Sequence, residues 1–401
     1  MDIKLVDLTR QYNSIRKKII RRIEKIFDSC NFIMGVNVKE LENKFSQYVG
    51  VKNSISVGNG TDALVIALKA VGIQPGDEVI TSPYTFFATA ESISRVGAIP
   101  VFVDIDLETY NIDVTKIEDK ITKKTKAILP VHIFGQPCDM QSINKIAKKH
   151  KLYVVEDACQ AVGAKIDGKM IGSLSDIACF SFFPTKNLGC AGDGGIITTN
   201  NDDMATICRA LRAHGSGKDG NKAYSILTGK KDKLKIAEKG DNTIYNSEKY
   251  FNYLIGYNSR LDEIQAAILL ERMKHLEKYN NDRIKTAKFF TEKLKSTSLV
   301  TPKVAKNGKH VFHLYILQSN NRDELINYLN SKGISTGVYY QVPLHLQKAM
   351  EIYKYKKGEC PNAEFLSNHA FAIPIFPLMS KEEKTYIVDK LKEWDEICEQ
   401  K

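Results

Sequence analysis

The sequence predicts an α/β fold: a mostly parallel central sheet with flanking helices, followed by a smaller α+β C-terminal domain. Three observations predict it. Between residues 54 and 200, short apolar, β-branched runs alternate with segments of helical period, the pattern of a parallel sheet covered on both faces. The 401 residues are long for one domain and fit one large and one smaller unit. Beyond Arg260 the alternation gives way to a long helical pattern and then to mixed strands and helices.

The elements follow in order. Ser54–Val57 reads as a strand, and Thr61–Val71 as a helix whose apolar face is Ala63, Leu64, Ile66, Ala67 and Leu68. Strand-like runs recur at Glu78–Ser82, Pro100–Asp104, Ala127–Val131, Leu152–Glu156, Ile177–Phe182 and Gly195–Thr199. Helical patterns intervene at Phe86–Arg95 and Met140–His150. Residues 215–250 break the alternation. Gly215-Ser216-Gly217 opens a polar stretch carrying Lys230, Lys231, Lys233 and Lys235, too long and too poor in apolar residues for an ordinary connection. It reads as a flexible insertion, either a surface loop or a flap that meets an anionic substrate. From Arg260 to about Lys295 the helical pattern runs through Leu261, Ile264, Ala267, Ile268, Leu270, Met273 and Leu276, with a break expected at Tyr279-Asn280-Asn281. A strand at Val311–Leu317, a helix at Asp323–Lys332, a strand around Ile334–Tyr340 and a last helix from Lys381 complete the pattern. The expected division is 1–255, an N-terminal arm and large α/β domain, and 256–401, a connecting helix and the small domain.

Composition narrows the function. The chain is 43% hydrophobic and carries a net charge of +11. Its lysines are scattered, and no helix reads as a basic stripe with aromatic residues, so a small polyanionic substrate fits better than nucleic acid. The eight cysteines contain no Cys-x-x-Cys pair, which argues against a zinc site or a disulfide framework. His132, His214, His313 and His345 lack ligand spacing, so no metal is expected, and His132 reads as packing. The N-terminus begins no signal peptide and no apolar run approaches ~18 residues. A soluble, cytoplasmic protein with no membrane segment is expected.

The chemistry is read from Glu156-Asp157-Ala158-Cys159-Gln160 and Ser181-Phe182-Phe183-Pro184-Thr185-Lys186. A carboxylate at the end of one strand and a lysine just past the next are what pyridoxal phosphate (PLP) requires. The lysine amine condenses with the cofactor aldehyde, and the carboxylate keeps the pyridine nitrogen protonated. Asp157 and Lys186 are therefore the candidate catalytic residues. Gly58-Asn59-Gly60-Thr61-Asp62 joins a strand to a helix, so Gly60, Thr61 and Asp62 mark an anion site at a helix start, to which Ser181 adds a hydroxyl. Gln160 can reach the phenolic oxygen, and Phe86 can stack on the ring. Plainer readings stand beside these: a turn with an N-cap at residues 58–62, a helix cap for Asp157, core packing for Phe86 and a surface lysine for Lys186.

Taken together, these segments resemble the DegT/DnrJ/StrS sugar-nucleotide aminotransferases, as do Gly60-Thr61-Asp62-Ala63-Leu64, Thr85-Phe86-Phe87-Ala88-Thr89, Pro130-Val131-His132-Ile133-Phe134-Gly135-Gln136, Gly256-Tyr257-Asn258-Ser259-Arg260-Leu261 and Pro343-Leu344-His345. The resemblance implies a fold-type I PLP-dependent transferase that acts as a homodimer with shared active sites. In it the residue matching Asn258 reaches the partner's cofactor phosphate, and Arg260 lies near the incoming substrate. Tyr84 and His345 are expected to contact substrate. L-glutamate is the implied donor, and Lys186 the residue that moves the proton. The implied acceptor is dTDP-3-keto-6-deoxyhexose, giving dTDP-3-amino-3,6-dideoxyhexose, with a UDP-2-acetamido-3-keto-hexuronate and then a 4-keto sugar as alternatives. The related sugar 3-dehydratases carry His where Lys186 stands, and a non-enzymatic regulator would have no need of the lysine or the aspartate. Both residues are retained.

Overall fold

A computed structural model describes residues 1–230 and 250–399. Two helices, α1 (Thr9–Ser29) and α2 (Val36–Val49), precede the alternating region. That region runs β1 (Asn53–Val57), α3 (Gly60–Ala70), β2 (Glu78–Thr81), α4 (Ala88–Arg95), β3 (Ile99–Phe102), β4 (Thr125–Leu129), α5 (Met140–His150) and β5 (Tyr153–Asp157). A small hairpin, β6 (Lys165–Ile166) and β7 (Lys169–Met170), leads to β8 (Ile177–Ser181), β9 (Gly195–Thr199) and α6 (Asp202–Leu211). The seven long strands form one sheet in the order β1-β9-β8-β5-β4-β2-β3. Only β9 runs against its neighbours, pairing antiparallel with both β1 and β8. Strands β8 and β9 are buried along their whole length, as strands covered on both faces must be. Their short runs of apolar, β-branched and small residues made them readable in the sequence.

Register places the site. Gly195 pairs with Val57 on one side and with Ser181 on the other. The turn after β1 and the end of β8 are therefore brought together across a single glycine. On the other side of β8, Asp157 pairs with Cys179, and it bridges onward to Val131. The ends of β1, β8, β5 and β4 thus open at one edge, where α/β sheets bind ligands.

The remainder departs from expectation in three places. The expected insertion at 215–250 begins with a helix, α7 (Gly217–Thr228), which buries Gly220 and Ala223. Its polar sequence hid it because so little of the helix is covered. Residues 231–249, with Lys231, Lys233 and Lys235, lie outside the described residues. The long helical pattern splits into α8 (Glu263–Met273) and α9 (Leu276–Lys293), earlier than the expected break at 279–281. Asn280 stays helical because its amide is buried and bonded, donating to Val162 O at 3.0 Å and accepting from Asn187 Nδ2 at 2.8 Å.

The C-terminal elements are a short pair β10 (Gly308–Lys309) with β6, then β11 (Tyr315–Gln318), α10 (Arg322–Ser331), α11 (Pro361–His369), β12 (Ala370–Ile373) and α12 (Lys381–Glu399). β11 and β12 pair antiparallel. Their core includes Phe290, Tyr315, Leu325, Ile387 and also Ile3 from the other end of the chain. In place of the expected strand at 334–340 there are two isolated bridges, Ile3–Ile334 and Gly337–Ala372. Beyond Gly337 the backbone leaves the strand pairing to form a wall of the site. No helix among the described residues is long and apolar enough to cross a membrane.

Candidate active site

The sheet edge opens into a cavity of about 530 Å³. Among its walls are Gly60, Thr61, Phe86, Asp157, Gln160, Ser181 and Lys186, seven residues expected from the sequence. Adjacent acids on a strand face opposite ways, and β5 uses both. Asp157 faces the cavity side and is 4% exposed. Its Oδ2 accepts the Thr89 hydroxyl at 2.8 Å and its Oδ1 accepts the Cys159 amide at 3.2 Å. Glu156 faces the other way and accepts four donors: His132 Nε2, Gly172 N, Leu174 N and Ser175 Oγ. Cys138 N donates to His132 Nδ1 at 3.0 Å, so the ring proton is on Nε2 and points at Glu156. Burial would raise the Glu156 pKa, but the bonds from His132, Ser175 and Gly172 overrule it and hold the carboxyl below its ordinary range. That network fixes the strand from which Asp157 projects.

Lys186 is half-buried. The turn carrying it is closed by its own amide donating to Phe183 O at 2.9 Å. Desolvation pushes its ammonium pKa below that of an ordinary lysine, against the opposing pull of Cys159 and Asp157. An amine that loses its proton more readily is a better nucleophile and base.

The start of α3 provides the anion site. Asn59 caps the helix, its Oδ1 accepting Asp62 N at 2.8 Å, while Ala63 N bonds Asn59 O at 3.1 Å. Among the described residues, the amides of Gly60 and Thr61 are left as the uncommitted donors of the first turn. Gly60 is required for space: a Cβ there would lie 2.8 Å from Ser181 Cβ and 3.1 Å from Cys159 Sγ.

The other expected residues lie elsewhere. Asp62 does not line the cavity; its carboxylate accepts Asn59 Nδ2 at 3.1 Å, completing the cap. Tyr84 is buried behind the wall, donating to Tyr339 O at 2.6 Å, with its ring edge-on to Phe134 and Tyr340. His345 bonds Glu364 at 3.0 Å and sits near the Phe102 and Tyr355 rings. Asn258 is exposed and bridges Ala213, and neither it nor Arg260 lines this chain's cavity. Among the wall residues that went unassigned in the sequence are Thr89, His313 and Tyr340. Tyr340 accepts Gln160 Nε2 at 3.1 Å, while Gln160 Oε1 takes Phe134 N at 2.7 Å. Thr89 lay inside the recognised run at residues 85–89, and a hydroxyl one turn along from Thr85 was the available signal.

A lysine and a deep aspartate lining one cavity of this size, with a helix N-terminus and a serine hydroxyl among the same walls, match the demands of PLP. The residues fit that cofactor, and the class of protein is a PLP-dependent transferase of fold-type I. The DegT/DnrJ/EryC1/StrS aminotransferase family matches residues 13–392, and the chain belongs to it. A "Pleiotropic regulatory protein" of Geobacillus stearothermophilus is 45% identical, covering 98% of this chain and 99% of that one. The UDP-N-acetyl-3-dehydro-α-D-glucosamine 3-aminotransferase of Acidithiobacillus ferrooxidans is 40% identical over 95% of each chain. The dTDP-3-amino-3,6-dideoxy-α-D-galactopyranose transaminase of Aneurinibacillus thermoaerophilus is 39% identical, covering 98% and 99%. Among solved structures, S. venezuelae DesV in complex with a ketimine intermediate superposes with a TM-score of 0.89 at 34% identity, covering 98% and 99%. The chain is a PLP-dependent sugar-nucleotide aminotransferase.

Proposed function

We propose that the protein moves the amino group of L-glutamate onto carbon 3 of a nucleotide-linked keto sugar, with dTDP-3-keto-6-deoxyhexose as the leading acceptor. The supporting observation for carbon 3 is that relatives of both nucleotide types are named for 3-amino or 3-dehydro sugars. A UDP-linked 2-acetamido-3-keto sugar is the second reading, favoured by the UDP-acting relative at 40% identity against 39% for the dTDP-acting one. The protein works as a homodimer in this reading. Asn258 and Arg260, absent from their own chain's cavity, complete the partner's phosphate and substrate sites.

When bound, PLP supplies an aldehyde that carries the amino group and a pyridinium ring that takes up electron density. The protein's residues do the rest. Asp157, oriented by the Thr89 hydroxyl, would hold the proton at the ring-nitrogen end. Gly60, Thr61 and Ser181 bind the phosphate. Phe86, 59% exposed in the single chain, covers a ring face. Lys186 takes the proton from the donor carbon and returns it during transfer, work worth typically 10²–10⁴-fold in rate. Incubation with PLP, L-glutamate and a panel of dTDP- and UDP-linked 3-keto and 4-keto sugars, with mass detection, tests the reading. An amino sugar formed at carbon 3 with glutamate consumed supports it. Amination at carbon 4 alone, or loss of water without glutamate consumption, refutes it.

A further inference from the structure

His313 enters the cavity from the C-terminal half of the chain and has no part in the roles above. It is 7% exposed and lies on the wall shared with Lys186, Gln160 and Tyr340. Its backbone is fixed at both ends, the amide donating to Phe134 O at 2.8 Å and the carbonyl accepting Arg283 Nη1 at 3.3 Å. Within the ring, Nδ1 is buried and has no partner among the described residues. Burial, reinforced by the charges of Lys186 and Arg283, keeps the imidazole pKa well below the ordinary histidine value, so the ring is neutral. A neutral imidazole has one N–H and one lone pair. A buried N–H without an acceptor is the rarer and costlier arrangement, which assigns the lone pair to Nδ1 and the proton to Nε2 of a ring that lines the cavity.

We propose that His313 Nε2–H hydrogen-bonds the carbonyl oxygen of the keto-sugar acceptor beside Lys186 and holds it as the amine adds. As the nitrogen bonds to carbon, the C=O electron pair moves to oxygen, and the oxygen leaves as water with the two protons that nitrogen brought. His313 keeps its own proton throughout. A neutral donor suits a neutral carbonyl, whereas a carboxylate of the amino donor is better matched by a cation. The proposal rests on the transaminase reading.

The test compares His313→Ala and His313→Gln, the latter retaining an N–H donor. In stopped-flow experiments, the early glutamate phase, in which a proton is abstracted and no carbonyl is formed, should run at the wild-type rate in both. The acceptor half-reaction, measured with dTDP-3-keto-6-deoxyhexose or with the UDP-linked 3-keto sugar if the panel selects it, should fall about 10- to 100-fold in His313→Ala. His313→Gln should recover most of that loss. In cofactor-free protein, ¹⁵N spectra of labelled imidazole, assigned by loss of the signal in His313→Gln, should show a protonated Nε2 and a bare Nδ1 at neutral pH. Equal losses in Ala and Gln, a parallel fall in the glutamate phase, or a proton on Nδ1 overturns the proposal. Wild-type protein inert toward L-glutamate overturns the transaminase reading and this proposal with it.

Discussion

Gly60→Ala is the sharpest perturbation of the phosphate site. The new methyl would stand 2.8 Å from Ser181 Cβ, 3.1 Å from Cys159 Sγ and 3.3 Å from Ser181 Oγ. Ordinary contact begins at 3.4 Å, so α3 and β8 must part by about 0.6 Å, the difference between 3.4 and 2.8. Ser181 Cβ is attached directly to a buried strand in register with β9, so no rotamer change removes the clash. Overpacking of this kind costs about 1–3 kcal/mol. Helix propensity acts in the opposite sense, favouring Ala by about 1 kcal/mol, so any net loss comes from the steric term. The same displacement stretches the hydrogen bonds to the phosphate. Losing one charge-assisted bond costs about 1.5–3 kcal/mol, or roughly 10- to 100-fold in the dissociation constant for PLP. Absorbance titration of PLP and thermal unfolding of the cofactor-free protein measure the two effects separately. Gly192→Ala is the control, because its nearest neighbour is the end of the flexible Gln265 side chain at 3.2 Å. Gly60→Ala/Ser181→Gly removes the closest partner and should regain stability without regaining affinity. Wild-type affinity and stability in Gly60→Ala, or a double variant no more stable than the single, would refute the reasoning.

Other expectations follow from the same geometry. Thr89→Val removes a hydroxyl donated to Asp157 while keeping its shape. Catalytic turnover should drop about 10-fold or more, because a bond to a charged group is worth about 1.5–3 kcal/mol, with little change in thermal stability; steady-state kinetics checks this. Asp157→Asn should bind PLP yet transaminate poorly, since a neutral amide does not hold the ring nitrogen protonated; an unchanged rate would be fatal to that role. Glu156→Gln should destabilise the protein by about 3 kcal/mol at neutral pH. The folded-state pKa of Glu156 is depressed, so its contribution is complete above the ordinary carboxylate pKa and is lost as pH falls through the folded value. The gap between variant and wild type should therefore close in acid, as denaturation at several pH values would show. Lys186→Met should stabilise the cofactor-free protein, since the folded-state pKa of this lysine is depressed. The gain is largest below the folded pKa and vanishes above the unfolded one, and an absence of stabilisation at neutral pH would contradict the desolvation.

The sheet was legible because buried parallel strands are continuous apolar runs: Leu152–Glu156 and Ile177–Phe182 were placed within a residue or so of β5 and β8. The placement of Lys186, Asp157 and Gly60 around one cavity was legible because each lies in a local turn or terminus at the end of a strand. The helix at 217–228 was not, since only two of its residues face the interior and its composition is that of a loop. The break expected at residues 279–281 failed because a polar pair looks like a helix terminator, whereas Asn280 finds its partners 118 and 93 residues away. Long-range pairing also hid Thr89, whose partner Asp157 is 68 residues distant, and Tyr340, whose partner Gln160 is 180 residues distant. Tyr84, expected from the family resemblance to contact substrate, has its hydroxyl donated to Tyr339 O, a partner 255 residues away.

Borohydride reduction of the PLP-loaded protein, followed by digestion and mass analysis, tests the central claim most directly. A single phosphopyridoxyl group on the peptide containing Lys186, with none in the Lys186→Ala protein, is the expected result. A label on another lysine, or none under saturating PLP, would contradict the assignment on which the chemistry depends.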